Sequence, residues 1–355
     1  MIEKYYNGVI EQVAGGIGNV EHNSILVRYS NDFSIWDLES VNHYKDQTDI
    51  FFTCHEFSYN KIAEAYEPYL GLIRQMFHKY CSGTLEEFME ECDVYKLQRP
   101  VFESYFEKGF CERTEQILID EVEYEQERMR NSIVTMLQKL SEIRPVVIVL
   151  NRFQLASKST MQLSNSLLQV KNKNIGIVLG VNDVQSIPEF AHEEWDAICE
   201  SMDDRNMVYH IGNAGRNMEP DVMDYYSDYE SDDGYRKLNN LVYFLDFDQA
   251  NHHLSKIERR IKFDNFTISE KKHYQLLLLQ IMVSVLQRDI AKALESCEDL
   301  EKLQDQEKEG AFYYNFWMAT SYMYLGKLEE AMIYVQKAKE CGEALGDDFL
   351  VFRAE

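Results

Sequence analysis

The sequence predicts a three-layer α/β domain built on a parallel sheet, followed by an all-α region of helical hairpins. Three observations carry this reading. Short, nearly continuous apolar runs alternate with helical stretches from residue 25 to about 250, the pattern of strands covered on both faces by crossover helices. No such run follows residue 251, where apolar and small residues recur at helical spacing instead. Only five prolines and 16 glycines occur in 355 residues, which favours helix over linker-rich architecture.

Residues 1–24 form a lead segment containing Gly15-Gly16-Ile17-Gly18, the one glycine cluster of the chain. It lacks a following Gly-Lys-Ser/Thr and the third glycine of a dinucleotide fingerprint, so it reads as a turn before the first strand. The α/β domain, 25–250, carries expected strands at Ser24–Tyr29, Asp49–Cys54, Val146–Leu150, Asn174–Gly180 and Leu241–Leu245. A helical insertion, 58–142, separates the second from the third. Within it, Thr84-Leu85-Glu86-Glu87 has the form of a capping box. Arg113–Ile143 spaces Ile117, Leu118, Val122, Met129, Ile133, Met136, Leu137 and Leu140 as one side of a long amphipathic helix. Glu219–Asp233, rich in acids and tyrosines without apolar periodicity, reads as a surface loop; EF-hand spacing is absent.

Residues 251–305 read as a helical domain and 306–355 as a hairpin of repeat type. Ala319 and Ala331 are small enough for two helices to approach closely, Tyr322 and Ala338 continue the packing stripe, and Gly326 sits at the turn. This spacing resembles a tetratricopeptide repeat, with Asn315 where Trp is usual. The hairpin within 268–305 aligns on it when Ala293 is matched to Ala331, 38 residues on, and Arg288 then replaces the turn glycine. Such hairpins need about three units to bury their faces, so the chain is expected to be a fragment of a larger regulator.

The charge excludes several classes of partner. With 36 Lys+Arg against 61 Asp+Glu the net charge is −25, which opposes binding to nucleic-acid phosphates or to an anionic membrane surface. No apolar run reaches the length of a membrane span, and the N-terminus lacks a signal peptide. Seven scattered cysteines without a CxxC pair read as reduced thiols of a cytoplasmic protein. HExxH and Gly-x-Ser-x-Gly motifs are missing, and the neighbours His252 and His253 are not expected to share a metal.

Several local phrases have a common parallel. Phe51–Glu56 with Tyr66-Glu67-Pro68-Tyr69, Arg144–Leu150, Ile175–Asn182 and Leu241–Asp248 resemble, in order, segments of the ATPase core of large bacterial signal-transduction ATPases (the STAND/AAA type). That resemblance spans residues 25 to about 340 and implies a P-loop fold with phosphate bound after the first strand and Mg²⁺ organised at the end of the third. The aligned residues cannot supply that chemistry. The loop reads Ser30, Asn31, Asp32, Phe33, Ser34, Ile35, Trp36, with Ile35 in place of the phosphate-reaching Lys and Trp36 in place of the Mg²⁺-holding Ser/Thr. Ile35 and Trp36 are expected to fill the phosphate space and Asp32 to repel an anion. The third strand ends in Asn151 and Arg152 where a carboxylate is required. The expectation is therefore a vestigial site with no catalysis, cofactor or metal. The function expected is a regulatory module whose helical repeats bind a protein or peptide. The alternative is a switch that holds ATP through a non-standard loop.

Overall fold

The structure is a computed structural model that describes residues 2–18, 23–30, 33–45, 47, 49–58, 61–111, 122–170, 172–183, 187–203, 207–211, 228–229, 231–263 and 267–355. The chain divides into two compact units, Met1–Ile117 with Glu123–Asp228, and Leu118–Val122 with Tyr229–Glu355. The division falls earlier than the boundary at 250 read from the sequence.

The first unit runs α1 (Ile2–Gly16), β1 (Ser24–Tyr29), α2 (Glu39–Lys45), β2 (Phe51–Glu56), α3 (Tyr69–Tyr80), α4 (Leu85–Glu91), α5 (Arg99–Lys108), α6 (Val122–Ile143), β3 (Val146–Asn151), α7 (Lys158–Gln169), β4 (Ile175–Asn182), α8 (His192–Asp203) and β5 (Val208–Ile211). The five strands form one parallel sheet in the order β2-β3-β4-β1-β5. Every residue of β3 and β4 is buried, as central strands covered on both faces require.

One expected strand is corrected. Leu241–Leu245 is no strand: Leu241 to Tyr243 end a helix, and the fifth strand is Val208–Ile211. A five-residue apolar run across a buried helix end has the same composition as a buried strand, so periodicity alone does not separate them. The true strand lies at the sheet edge with Tyr209 and His210 exposed, which leaves too little apolar pattern to stand out. In the insertion, Thr84 and Glu87 do form the capping box, each side chain accepting from the other's backbone N–H. The apolar side of α6 is buried at Met129, Ile133, Met136, Leu137 and Leu140; residues 113–121 of the expected helix lie outside the described residues.

From β1 the chain crosses to the far edge at β2, returns through β3 and β4, then passes β1 to reach β5. Right-handed crossovers place the β1–β2 connection on one face of the sheet and the later ones on the other. The first face holds a core of Tyr6, Ile10 and Val13 from α1, Val41 from α2, and Val27, Val149 and Val178 from the sheet. Helix α1 lies close on β4 because Gly176 and Gly180 leave that surface bare: a Cβ on Gly176 would sit 2.6 Å from Val13 Cγ1, and one on Gly180 would collide with the Tyr6 hydroxyl. The Gly15–Gly18 cluster closes α1 and turns the chain, with Gly18 at positive φ donating its N–H to the Lys173 carbonyl.

The second unit is helical throughout its described residues: α9 (Asp232–Tyr243), α10 (Phe247–Phe263), α11 (Glu270–Leu286), α12 (Ile290–Glu301), α13 (Gly310–Tyr324), α14 (Leu328–Leu345) and α15 (Asp348–Ala354). Of the expected acidic loop, 219–227 and 230 lie outside the described residues, whereas Ser231 caps α9 by accepting from Gly234 N–H. The hairpins α11–α12 and α13–α14 turn alike: Arg288 and Gly326 both take left-handed backbone, at φ 64° and 72°. The turn thus demands the same conformation with or without glycine, and Ala293 and Ala331 are buried at matching positions.

Candidate functional site

Ligands of open α/β sheets bind beyond the carboxyl ends of strands, where neighbouring connections leave to opposite faces. Here that point lies between the ends of β1 and β4, with β3 next beyond β4. Strand register sets Tyr29 opposite Asn182 and Glu56 opposite Asn151, so these four residues stand together on one edge. Both stretches singled out in the sequence, the β1 loop and Asn151-Arg152, are brought to this edge.

The loop after β1 is folded onto the sheet by its own side chains. The Phe33 ring meets Tyr6 and Tyr29 edge to face, at centroid separations of 5.1 and 4.9 Å. The Tyr29 hydroxyl donates to Asn151 Oδ1 at 2.7 Å, and Asn151 Nδ2 donates to the Phe33 carbonyl at 3.4 Å. Asn151, fully buried, therefore ties β1 and its loop to β3. Burial, and then the Glu56 carboxylate, push the Tyr6 phenol upward, so it stays protonated.

Glu56 is the residue that organises the edge. Its Oε2 accepts from the Ile35 backbone N–H at 2.9 Å and from the Ser34 hydroxyl at 3.2 Å. Its Oε1 pairs with Arg152 Nη1 at 2.8 Å, and both side chains are largely buried. Arg152 reaches this carboxylate from a left-handed backbone, φ 54°. A loop N–H, a hydroxyl and a guanidinium are the donor types that a phosphate would recruit. Here an internal carboxylate has all three.

One sequence expectation changes in detail. Ile35 is buried in the core of the first face, but Trp36, expected to fill the space beside it, is 46% exposed, with Lys45 Nζ 4.4 Å above its ring. Successive side chains of the short 3₁₀ turn Ile35–Asp37 point in different directions, and Phe33 takes the interior place instead. Ser30 is a bend just past the end of β1, while Asn31 and Asp32 lie outside the described residues. Glu56 was visible only as the last residue of a strand phrase; its signal was an acid at a strand terminus in register with Asn151.

Beside this edge a cavity of about 290 Å³ is lined by Arg28, Asn182, Asp183, His192, Trp195 and Asp196, among others. Arg28 Nε bonds Asp183 Oδ1 at 2.7 Å, so its charge is already matched, and Asp196 makes the lining net acidic. Among the described residues no group of three His, Cys, Asp or Glu is placed to hold a metal. All seven cysteines are free. Burial raises Cys54 and Cys199 to about 11, and Cys92 and Cys297 to about 12, so these thiols are not activated nucleophiles.

The repeat-type residues gather in the second unit. Ala319 on α13 and Ala331 and Ala338 on α14 are buried, Tyr322 stacks on Tyr334 at 5.6 Å, and Gly326 forms the turn. No described helix is long and apolar enough to cross a membrane. No protein family and no curated protein matches the chain at a significant level.

Proposed function

We propose that the first unit is a degenerate, non-catalytic core of the P-loop ATPase type. The second unit is a tetratricopeptide-like surface for a protein or peptide partner, and together they form a regulatory rather than an enzymatic module. The observation that carries this reading is the Glu56 carboxylate bonded to the Ile35 N–H, the Ser34 hydroxyl and Arg152. An anion entering there must displace a covalently tethered competitor, and it would meet no lysine in the loop and no carboxylate at Asn151 to hold Mg²⁺. Support also comes from topology: the loop after β1 and the end of β3 share one edge, as a phosphate loop and its metal-binding partner strand would. The net charge of −25 leaves protein surfaces as the favoured clients.

Thermal unfolding with millimolar Mg-ATP tests the reading. No change in midpoint and no phosphate release are expected. A saturable, Mg²⁺-dependent rise that disappears when Ser30 and Ser34 are replaced by alanine would establish the nucleotide switch in its place.

A further inference from the structure

The sheet of the first unit ends at β2, which pairs with β3 on one side only. The Phe51 N–H donates to the Pro145 carbonyl at 2.7 Å and the Phe57 N–H to the Asn151 carbonyl at 3.1 Å. In a parallel ladder alternate residues bond the same neighbour, so Phe51, Thr53 and His55 turn their backbone groups to β3. The N–H and C=O groups of Phe52, Cys54 and Glu56 therefore point away from the sheet. None of the described residues bonds these six groups. All residues of β2 are half-buried, where those of β3 and β4 are wholly buried, so solvent reaches this edge.

An open edge recruits another strand unless lysine, proline, a bulge or brevity blunts it. Phe51-Phe52-Thr53-Cys54-His55 contains no Lys, Arg, Pro or Gly, and the ladder to β3 runs without a bulge. The Glu56 carboxylate does not guard the edge either, being turned inward to Ile35, Ser34 and Arg152. An antiparallel second copy of β2 fits this edge. With Cys54 opposite its own counterpart and Phe52 opposite Glu56, all three outward residues of each copy exchange both backbone bonds. A slip of two residues either way leaves some of them unpaired. Charge favours the same orientation. Lys79 Nζ stands 5.9 Å from the Phe51 ring at the start of β2, and Glu67 pairs with His55 Nε2 at 3.5 Å near its end. Antiparallel pairing sets each start beside the other copy's end, so a basic end faces an acidic one.

We propose that β2 is a self-association edge: two copies of this chain pair their β2 strands antiparallel about a twofold axis at Cys54, joining two five-stranded sheets into one. This pairing depends neither on nucleotide at the β1 loop nor on a partner at the helical unit. The interface is one strand wide and each copy carries a charge of −25. The dimer is therefore weak, with an expected dissociation constant of about 10–200 µM.

Sedimentation velocity of the full chain from about 1 to 300 µM, with amide hydrogen exchange read by NMR at both ends of that range, tests this. A reversible monomer–dimer equilibrium is expected. At the high end the N–H groups of Phe52, Cys54 and Glu56 should gain about tenfold or more in protection. Those of Thr53 and His55, bonded to β3 in either state, should exchange slowly throughout. Cys54→Pro removes one outward N–H per copy and spares the ladder to β3. It should weaken association about tenfold or more, whereas Cys54→Ser, which keeps the N–H, should not. Circular dichroism melts confirm that each variant is folded; Cys54→Lys, which sets like charges face to face on the axis, serves if Cys54→Pro is not. A chain that stays monomeric at the highest concentration, or a dimer in which the three outward amides exchange freely, would overturn the proposal. The first outcome would leave the edge to an extended segment of another protein.

Discussion

Glu56, Arg152 and Asn151 decide the chemistry of the sheet edge between them. Removing the Glu56 carboxylate leaves Arg152 without its counter-charge and the Ile35 N–H without its acceptor, so Glu56→Ala should cost about 2–4 kcal/mol in urea unfolding. A double-mutant cycle with Arg152→Ala should give a coupling of about 1–3 kcal/mol; additive losses would mean that the pair does not interact. Gly180→Ala places a methyl group against the Tyr6 hydroxyl and should cost about 1–3 kcal/mol by overpacking. At this scale the sequence is only partly legible. The loop after β1 and the Asn151-Arg152 pair could be singled out because each directly follows an apolar strand run, and the structure brings both to one edge. Glu56 could not, because its role depends on strand register, and Trp36 was misread because a 3₁₀ turn, not the order of residues, decides which side chain turns inward.

At the scale of elements, the two hairpin turns offer a matched comparison. Gly326 sits at φ 72° with open space around it, so Gly326→Ala should cost about 1 kcal/mol through backbone strain alone. Arg288→Gly relieves the same strain but forfeits the guanidinium 4.1 Å from the Tyr324 ring, and should be within about 0.5 kcal/mol of neutral. Helix α10 carries a pH dependence. Burial, and then Lys256, hold His252 near 4, and burial with His252 and Lys256 holds His253 lower than usual. His253 is neutral in a network with the Tyr229 hydroxyl and Gln249. An unfolded histidine titrates near 6.5. Below that pH the unfolded chain takes up protons that the folded one refuses, so this contribution is complete above about pH 6.5 and lost as pH falls toward 4. Urea melts at neutral pH and near pH 5 should show the loss, and His252→Asn should flatten it. Strands β1, β3 and β4 were legible because central strands are continuous apolar runs, and β2, although half-buried at the other edge, begins with the apolar pair Phe51-Phe52. Strand β5 and the Leu241–Leu245 helix end were not, since an edge strand hides its pattern and a buried helix end imitates one.

Across the whole molecule, the charge of −25 gains a structural meaning. The acids are not all solvated surface: Glu56 is turned inward to occupy donors that an anion would need, and Asp183 and Asp196 flank the one arginine in the neighbouring cavity. The chain thus joins an α/β unit in which Glu56 holds the loop N–H, a hydroxyl and Arg152 to a helical unit with paired, similarly turned hairpins. The most direct test of this account is calorimetric titration of the wild-type chain with Mg-ATP, with Glu56→Ala as the comparison. The account predicts no heat of binding to the wild type at millimolar nucleotide and weak anion binding in the variant, where the loop N–H and Arg152 are released. Saturable Mg-ATP binding to the wild type would contradict it.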